Sequence, residues 1–234
     1  MLSDELFDMT AYYMRHPLSV RNVGGANLDD ATPLAEEGIQ QIEAIYAFIK
    51  KHGITHVVCS FADRTLGALL KERFPGIHII ASPFVGEWKR ANILKTKSRN
   101  DPEAKAIKRR RIDEFGENFS PLPGEEKFLD LIHRICAGLN LLVELREPKV
   151  LVLTHYHIAL MTMAVIAAGG ATFNSARVLD YDVEHFPHAV SLMFKAFVEY
   201  VKFENIDYLT FEYRKKYGSD DICWNINIGK KILD

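Results

Sequence analysis

Four short apolar runs in this sequence each lead into polar side chains of the kind found in reaction centres. The runs at 12–14, 57–59, 79–81 and 151–153 lead to Arg15 and His16, to Ser60 and Arg64, to Glu87, and to Thr154 and His155. If these runs are parallel strands, their carboxyl ends meet along one crevice of the sheet. We therefore expect the two histidines, the two arginines and the glutamate to lie together.

Such a cluster suits the transfer of a phosphoryl group. Two guanidinium groups and an imidazolium would bind a dianion, because arginine forks match phosphate oxygens bidentately. A neutral imidazole nitrogen can attack phosphorus and form a phosphohistidine, while the cations stabilise charge on the transferring group. A carboxylic acid can then protonate the leaving alkoxide. This scheme requires no metal and no other cofactor.

Each of these residues also has a structural explanation when it is taken alone. Arg15 could be an ion-pair partner, and His16 or His155 an ordinary polar residue at a strand end. Glu87 is the least distinctive, because four other glutamates are available, at positions 36, 37, 125 and 126. Arg64 at a helix start opposes the helix dipole, which indicates an anion nearby. The functional interpretation is favoured because five suitable groups follow matching strand ends.

Strand-like and helix-like patterns alternate over the first two thirds of the chain. The patterns predict strands at 11–14, 56–60, 77–81 and 150–154, and helices at 33–51, 63–74, 125–144 and 158–168. This alternation predicts an α/β fold with a mainly parallel sheet covered by helices on both faces. Segments 190–200, 208–213 and 222–228 are predicted to be extra C-terminal strands, added antiparallel at a sheet edge.

The composition is that of a folded protein with a sizeable core. The chain has 234 residues, of which 48% are hydrophobic and 26% charged. Its formal net charge of −2 gives no reason to expect nucleic acid or a membrane as partner. The three cysteines have no CxxC spacing, the N-terminus does not read as a secretory signal, and the longest apolar run is too short to span a bilayer. We expect a soluble cytoplasmic protein, and the pattern leaves a homodimer open.

One segment departs from the rest in charge. Residues 89–111 hold ten lysines or arginines against two acidic residues. A solvated helix and loop would explain this charge. The alternative, which the composition favours less, is a lid or patch that attracts a phosphorylated substrate.

Five short motifs occur in order between residues 14 and 168. They lie at 15–22, 33–38, 60–64, 124–126 and 154–156. They resemble the Arg-His-Gly-x-x-x-x-Asn, Pro-Leu-Thr-x-x-Gly, Ser-x-x-x-Arg, Gly-Glu-Ser and Ser-His-Gly elements of the histidine phosphatase superfamily, the phosphoglycerate-mutase-like proteins. The resemblance implies a three-layer α/β/α sandwich. We expect a single domain over 1–234, with 89–123 as a basic insertion or lid and 180–234 as a C-terminal extension.

The resemblance also implies roles for individual residues. His16 would be the phosphorylated nucleophile and Glu87 the proton donor of a phosphatase that acts on a phosphomonoester. Arg15, Asn22, Arg64 and His155 would bind the phosphoryl group. The partner would be a phosphorylated small molecule, with no metal and no cofactor.

Two residues depart from the family pattern. Pro17 stands where the family has glycine, and proline lacks the amide N–H that could contact phosphate. Tyr156 replaces a small residue beside His155, which predicts a narrower pocket.

Three other functions remain open on the sequence. A phosphomutase of the same superfamily is one, although the Arg/Tyr/Gly-rich segment of the glycolytic mutases is missing after the acid position, which favours hydrolysis. A non-catalytic phospholigand-binding protein is another, because of Pro17. A metallohydrolase is the third, because His155 and His157 would lie on one face of an extended segment, with His185 and His188 as further ligands.

Overall fold

The fold is seen in a computed structural model, whose described residues are 8–24, 31–62, 65–95, 97, 100–114, 121–168, 185–201, 205, 207–215 and 222–228. Within these residues the strands are β1 (Asp8–Arg15), β2 (His56–Cys59), β3 (His78–Ala81), β4 (Lys149–Thr154), β5 (Tyr208–Lys215) and β6 (Ile222–Ile228). The α-helices are α1 (Glu36–His52), α2 (Gly67–Arg73), α3 (Pro102–Asp113), α4 (Phe128–Leu145), α5 (Tyr156–Ala168) and α6 (His185–Tyr200).

The strands form one six-stranded sheet in the order β3-β2-β4-β1-β5-β6. Strands β3, β2, β4 and β1 are parallel to one another. Strand β5 pairs antiparallel with β1, and β6 pairs antiparallel with β5. The predicted mainly parallel sheet and the antiparallel C-terminal strands at 208–213 and 222–228 are therefore confirmed. The order also makes β1 and β4 neighbours, so their carboxyl ends lie side by side.

Helices cover both faces of the sheet because alternate side chains of each strand point to opposite faces. From β1, Tyr12 and Met14 pack in one apolar cluster with residues of α1 and α2, including Ile45. Ala11 and Tyr13 pack in the other cluster, with residues of α4, α5 and α6. The arrangement is the expected three-layer α/β/α sandwich. Each fully buried aliphatic or aromatic side chain of these clusters contributes about 1.5–3 kcal/mol of burial free energy.

Helix α1 shows why the predicted helices form where they do. Its buried residues include Ile45 and Ile49, which are spaced to lie on one face. Glu36 and Glu37 occupy its first turn, where the helix dipole favours acidic residues. Gly53 ends the helix at φ 62°, and its N–H bonds to the last carbonyl groups.

The prediction of a strand at 190–200 is wrong, because this segment lies in α6. Val190 and Phe194 are both fully buried, whereas Leu192 and Met193 are exposed. This spacing is that of one buried helical face, which outweighs the strand-like composition of the segment.

The predicted starts of α2 and α4 also differ from the structure. Helix α2 begins at Gly67 rather than at residue 63, and Asp63 and Arg64 lie outside the described residues. Helix α4 begins at Phe128 rather than at residue 125, because Gly124 turns the chain at φ 84° and the two glutamates after it make other contacts.

Helix α5 is buried along most of its length. Nine of its residues, from Ile158 to Ile166, are buried between the sheet and the neighbouring helices. A helix enclosed in this way is apolar on every side. Within the described part of the chain, we find no helix with the length and hydrophobicity needed to cross a membrane.

Candidate active site

His16 lies just after β1, in a position fixed by its backbone. Its N–H donates to the carbonyl of Thr154 at the end of β4, at 3.0 Å. Its own carbonyl accepts from Asn205 Nδ2 at 2.7 Å. The residue is 4% exposed. Two distant parts of the chain therefore hold this residue at the carboxyl edge of the parallel strands.

The hydrogen bond of the His16 ring determines its tautomer. Nδ1 lies 2.7 Å from the carbonyl oxygen of Pro17. A carbonyl oxygen only accepts, so Nδ1 carries a proton; when the ring is neutral, its lone pair is therefore on Nε2. An imidazole with a free lone pair on Nε2 is the form required of a nucleophile.

The loop after His16 is fastened to the start of α1. The Leu18 carbonyl accepts from Ala35 N–H at 2.9 Å, and Leu18 N–H donates to Gln41 Oε1 at 2.8 Å. Gly38 lies so close to this loop that a Cβ there would overlap the Leu18 carbonyl. The motif at 33–38 therefore serves to position the loop that carries His16.

His155 is fully buried and lies beside His16, with ring centroids 5.2 Å apart. Its Nε2 is 2.9 Å from Ser60 Oγ, which follows β2. Its Nδ1 is 3.7 Å from Glu87 Oε2. Three of the residues that the sequence singles out, His16, His155 and Glu87, therefore meet at one point, as the strand-end argument predicts.

Glu87 reaches this point through a short 3₁₀ turn (Pro83–Val85) that follows β3. Its Oε2 accepts from Arg90 Nη2 at 3.0 Å, and its Oε1 accepts from Trp88 N–H at 3.3 Å. The carboxyl group is thus held near His155 Nδ1, whereas Ser60 contacts the other ring nitrogen.

Arg134 of α4 holds the segment that carries Glu87. Its Nη1 donates to three main-chain carbonyl groups, those of Pro83 at 3.0 Å, Phe84 at 3.1 Å and Gly86 at 2.9 Å. Its Nε and Nη2 form a two-bond pair with the Glu126 carboxylate, at 2.7 and 2.9 Å. The Arg134 guanidinium therefore links α4 to the motif at 124–126 and to residues 83–86, which precede Glu87 in the chain.

Neither glutamate of that motif is available as the acid. The Glu125 side chain has no exposed surface and pairs with Arg110 at 2.9 Å and with Arg111 at 3.3 Å. Glu126 is occupied by Arg134. Glu125 is thus bonded to arginines of α3, and Glu126 to the arginine that holds the segment before Glu87. Glu87 is therefore the glutamate that lines the cavity.

A cavity of about 420 Å³ opens at this edge of the sheet. Its described lining has five cationic residues, Arg15, Arg21, Arg90, Lys108 and Arg111, and one carboxylate, Glu87. Of the residues predicted for the site, Arg15, His16, Asn22 and Glu87 line the cavity, and the buried His155 contacts Glu87. Arg64 lies outside the described residues. Tyr156 is also in the lining, and the Arg15 guanidinium lies 5.5 Å from the centre of its ring.

The sequence analysis did not place several lining residues in the phosphate site, among them His157, which it considered only as a metal ligand, and Arg111. Desolvation, helped by nearby cations, lowers the pKa of His157 to about 3, so its ring is neutral. Arg111 is 6% exposed and stacks on Trp88, with its Cζ 3.3 Å from the ring centre. Burial lowers the pKa of Arg111 to about 9, which leaves it charged at neutral pH. The charge of segment 89–111 was the one signal that pointed to Arg111.

The geometry behind the metallohydrolase hypothesis is not observed. His157 lies in α5 rather than on an extended segment with His155. Across the described ranges, no group of three or more His, Cys, Asp or Glu side chains is arranged to hold a metal ion.

The fold and the site together define a class. An open α/β sheet presents the His16 imidazole and a cationic cavity at the carboxyl ends of its parallel strands, where such sheets bind ligands. Arginine-rich cavities of this kind suit phosphate groups. The class is therefore that of α/β proteins whose sites handle phosphoryl groups.

The family model of the histidine phosphatase superfamily (branch 1) matches residues 11–182, and the chain belongs to this superfamily. This confirms the family that the five motifs indicate. No curated protein matches the chain significantly.

Solved structures share the fold over nearly the whole chain. Mycobacterial glucosyl-3-phosphoglycerate phosphatase is 17% identical, with a TM-score of 0.62 and coverage of 97% of this chain and 100% of its own. The alpha-ribazole phosphatase of Shigella flexneri is 14% identical, with a TM-score of 0.59 and coverage of 95% and 96%. Mycobacterial hydrolase 1 is 18% identical, with a TM-score of 0.65 and coverage of 95% and 98%. The superfamily and its phosphatase neighbours support a phosphatase.

Proposed function

We propose that this protein hydrolyses a phosphomonoester through a phosphohistidine intermediate on His16. The observation that carries the proposal is the 2.7 Å contact between His16 Nδ1 and the Pro17 carbonyl. It keeps the proton on Nδ1 and the lone pair on Nε2, in a ring that lines a cationic cavity. Family membership and the phosphatase neighbours support the same reaction.

In the first step, His16 Nε2 attacks phosphorus as the ester P–O bond breaks. Glu87, as the carboxylic acid, gives its proton to the leaving alkoxide. Arg15 and Asn22 line the cavity and would bind the phosphoryl oxygens, with His155 beside them. The family motif assigns the same task to Arg64. The charge that develops on these oxygens is stabilised by cations already in place.

In the second step, water attacks the phosphohistidine. The Glu87 carboxylate accepts a proton from this water, the P–N bond breaks, and inorganic phosphate leaves. His16 returns to its starting tautomer, because its Nδ1–H bond to Pro17 is not used in either step.

Pro17 is compatible with this mechanism. Proline keeps its carbonyl oxygen, which is the group that fixes the His16 tautomer. It lacks the N–H, so this position cannot donate to phosphate. We therefore favour an enzyme over a phospholigand-binding protein without activity, and we expect the side chains to carry the phosphate contacts.

The test is a phosphatase screen of wild type, His16→Ala and a matched control, His188→Ala, whose side chain is exposed on α6. We expect turnover to be abolished only in His16→Ala. Quenching the reaction of wild type and ³²P-labelled substrate with alkaline detergent should trap a labelled phosphoenzyme, and later treatment with acid should release the label. Turnover that persists in His16→Ala would contradict the proposal. Transfer of the label to a second hydroxyl rather than to water would identify a phosphomutase.

Glu87→Gln tests the proton donor. Alkyl phosphates have poor leaving groups, so kcat for them should fall by about 10²-fold or more. 4-Nitrophenyl phosphate needs little protonation and should lose much less. An equal loss for both substrates would assign Glu87 to another role.

We also propose a cytoplasmic location. Cys59 and Cys136 are free and buried, and burial raises their pKa to about 11 and about 12 respectively, so both stay protonated at neutral pH. Free thiols are common in reducing compartments. Recovery of the tagged protein from a secreted or periplasmic fraction of its own cells would refute this location.

A further inference from the structure

We propose that Asn205 is a positioning residue for His16, supplied by a part of the chain that lies beyond residues 11–182, which the family model matches. Its side-chain amide holds the backbone of His16, so that the ring keeps its direction in the cavity. The inference rests on the proposed function, because it assumes that His16 is the nucleophile.

The contact between the two residues is short and joins distant parts of the chain. Asn205 Nδ2 donates to the His16 carbonyl oxygen at 2.7 Å, across 189 residues of sequence. A carbonyl oxygen only accepts, so the NH₂ end of the amide faces His16. Asn205 is half-buried, so water competes less for this hydrogen bond than it would at an exposed position.

Asn205 completes the attachment of the His16 backbone. The His16 N–H is held by the Thr154 carbonyl at 3.0 Å, and the His16 carbonyl is held by Asn205. With both polar groups of one residue bonded, its backbone cannot rotate without breaking a hydrogen bond. The direction of the Cα–Cβ bond, from which the ring extends, is therefore fixed.

The peptide bond between His16 and Pro17 links this contact to the ring itself. The proline ring fixes φ of Pro17 and restricts His16 to extended conformations. Asn205 holds the oxygen of this peptide group, and the next carbonyl, that of Pro17, accepts from His16 Nδ1 at 2.7 Å. The hydrogen bond that places a proton on Nδ1 therefore depends on a peptide group that Asn205 holds.

Asn205 is itself held by the strand that follows it. Strand β5 begins at Tyr208, which pairs with Met14 of β1. The Arg15 N–H donates to the Asp207 carbonyl at 3.1 Å, which extends this pairing by one residue toward Asn205. The amide therefore approaches His16 from a segment that is bonded to the residue just before it.

The same part of the chain supports the cavity at other points. The Val201 carbonyl, just after α6, accepts from the Tyr156 hydroxyl at 3.4 Å. Phe194 of α6 is fully buried, and its ring centre lies 6.1 Å from that of Trp88 and 6.3 Å from that of His157. Tyr156, Trp88 and His157 all line the cavity. The site therefore extends into the C-terminal part of the chain, and Asn205 brings this support to the proposed nucleophile.

A purely structural role for Asn205 is the alternative. An amide that only ties down a turn would contribute stability, and its loss would leave the chemical step unchanged. The two roles differ in whether the ring of His16 and its attack on phosphorus respond when the amide is removed.

Asn205→Leu removes the donor and keeps a side chain of similar volume. Under single-turnover conditions, release of 4-nitrophenolate from 4-nitrophenyl phosphate reports the attack by His16, since the ester bond breaks in that step. We expect this rate to fall about tenfold, through loss of one neutral hydrogen bond and a small misalignment of the nucleophile. The dissociation constant of inorganic phosphate, measured by calorimetry, should stay within about threefold, because the side chains proposed to bind phosphate are unchanged. Asn140→Leu makes the same replacement at a half-buried position of α4 and should leave both quantities unchanged.

The ring of His16 is observed directly by NMR. In protein labelled with ¹⁵N-histidine, the signals of His16 are those missing from His16→Ala, and their positions report which ring nitrogen carries the proton. We expect Asn205→Leu to shift these signals toward a smaller share of Nδ1–H, because the Pro17 carbonyl is held less firmly. Asn140→Leu should leave them in place. Urea unfolding verifies that the variants are folded, and Asn205→Ala should change the rate and the signals in the same direction.

The outcomes separate this inference from the proposed function. A wild-type rate in both Asn205→Leu and Asn205→Ala would overturn the positioning role. A slower rate with unchanged His16 signals would overturn it as well, because the effect would not pass through the ring. Shifted signals, in a protein whose wild type neither turns over substrate nor forms a phosphoenzyme, would refute the proposed function while supporting the positioning of the ring by Asn205.

Discussion

Arg134→Met would remove the guanidinium that holds the segment carrying Glu87 without touching the phosphate-binding residues. Arg134 donates to three carbonyl groups of residues 83–86 and pairs with Glu126. The side chains of Arg134 and Glu126 are 13% and 7% exposed. Without Arg134, the 3₁₀ turn loses these hydrogen bonds to α4, and we expect Glu87 to be held less firmly in the cavity.

Two separate magnitudes follow from these contacts. Breaking a buried ion pair by removing one partner costs about 3–5 kcal/mol of stability, because the other charge stays buried. A protein whose stability lies above the lower end of the typical range of about 5–15 kcal/mol would still fold. For activity, a general acid contributes about 10²–10⁴-fold. We expect kcat for an alkyl phosphate to fall by about 10²-fold, and KM to stay within about threefold, because the phosphate-binding residues lie on other elements.

The assay compares kcat for glycerol 3-phosphate and for 4-nitrophenyl phosphate, since the second has a good leaving group. Arg134→Met combined with Glu126→Gln removes the stranded charge and keeps an acceptor for Lys89 N–H. This double variant should regain stability but not alkyl phosphate activity. Arg109→Met makes the same replacement on the exposed surface of α3 and should change neither quantity.

Equal loss of kcat for the two substrates would refute the positioning of Glu87 by Arg134. Recovery of alkyl phosphate activity in the double variant would do so as well, because activity would then follow stability alone.

Two further variants test the packing of the loop after His16 and the neutral state of the buried His157 ring. In Gly38→Ala, the new Cβ would overlap the Leu18 carbonyl, so we expect a loss of about 1–3 kcal/mol in urea unfolding together with reduced turnover. Gly76→Ala has open space around its Cβ and should be close to neutral; an unchanged Gly38→Ala protein would show that the loop can yield. His157 has a pKa of about 3 in the folded protein, against the ordinary histidine value of 6.5 that applies to the unfolded chain. Between these values the unfolded state binds a proton that the folded state does not, so stability falls as pH falls through this window. Wild type should lose on the order of 1–2 kcal/mol more than His157→Gln between pH 7 and pH 5, and equal losses would mean that His157 accepts a proton in the folded protein.

The meeting of His16, His155 and Glu87 was predictable from the sequence because parallel strands impose it. Each residue follows an apolar run, and runs that pair in parallel end at one edge of the sheet. The hydrogen bond of His16 Nδ1 to its own neighbour, Pro17, is equally local, although the sequence analysis did not predict it. Such features depend on short stretches of chain, which sequence patterns describe well.

The features that depend on distant contacts could not be predicted. Arg134 bonds to carbonyl groups some fifty residues away, and no side-chain pattern marks a carbonyl acceptor. Arg111 belongs to a run of basic residues that, by composition, reads as solvated surface, yet its neighbour Trp88 and the carboxylate of Glu125 bury it. The strand predicted at 190–200 failed for a related reason, because burial of one helical face outweighed local composition.

The stacking of Arg111 on Trp88 gives the protein an optical reporter of its own site. Trp88 is 1% exposed and lines the cavity, and its indole N–H donates to the Glu126 carbonyl at 3.4 Å. The chain has two tryptophans, and the other, Trp224, lies in β6 at the sheet edge. In a Trp224→Phe protein, emission would come from Trp88 alone. A ligand that draws the guanidinium away from the indole would then shift or unquench this fluorescence, so occupancy could be followed in a stopped-flow instrument without a label.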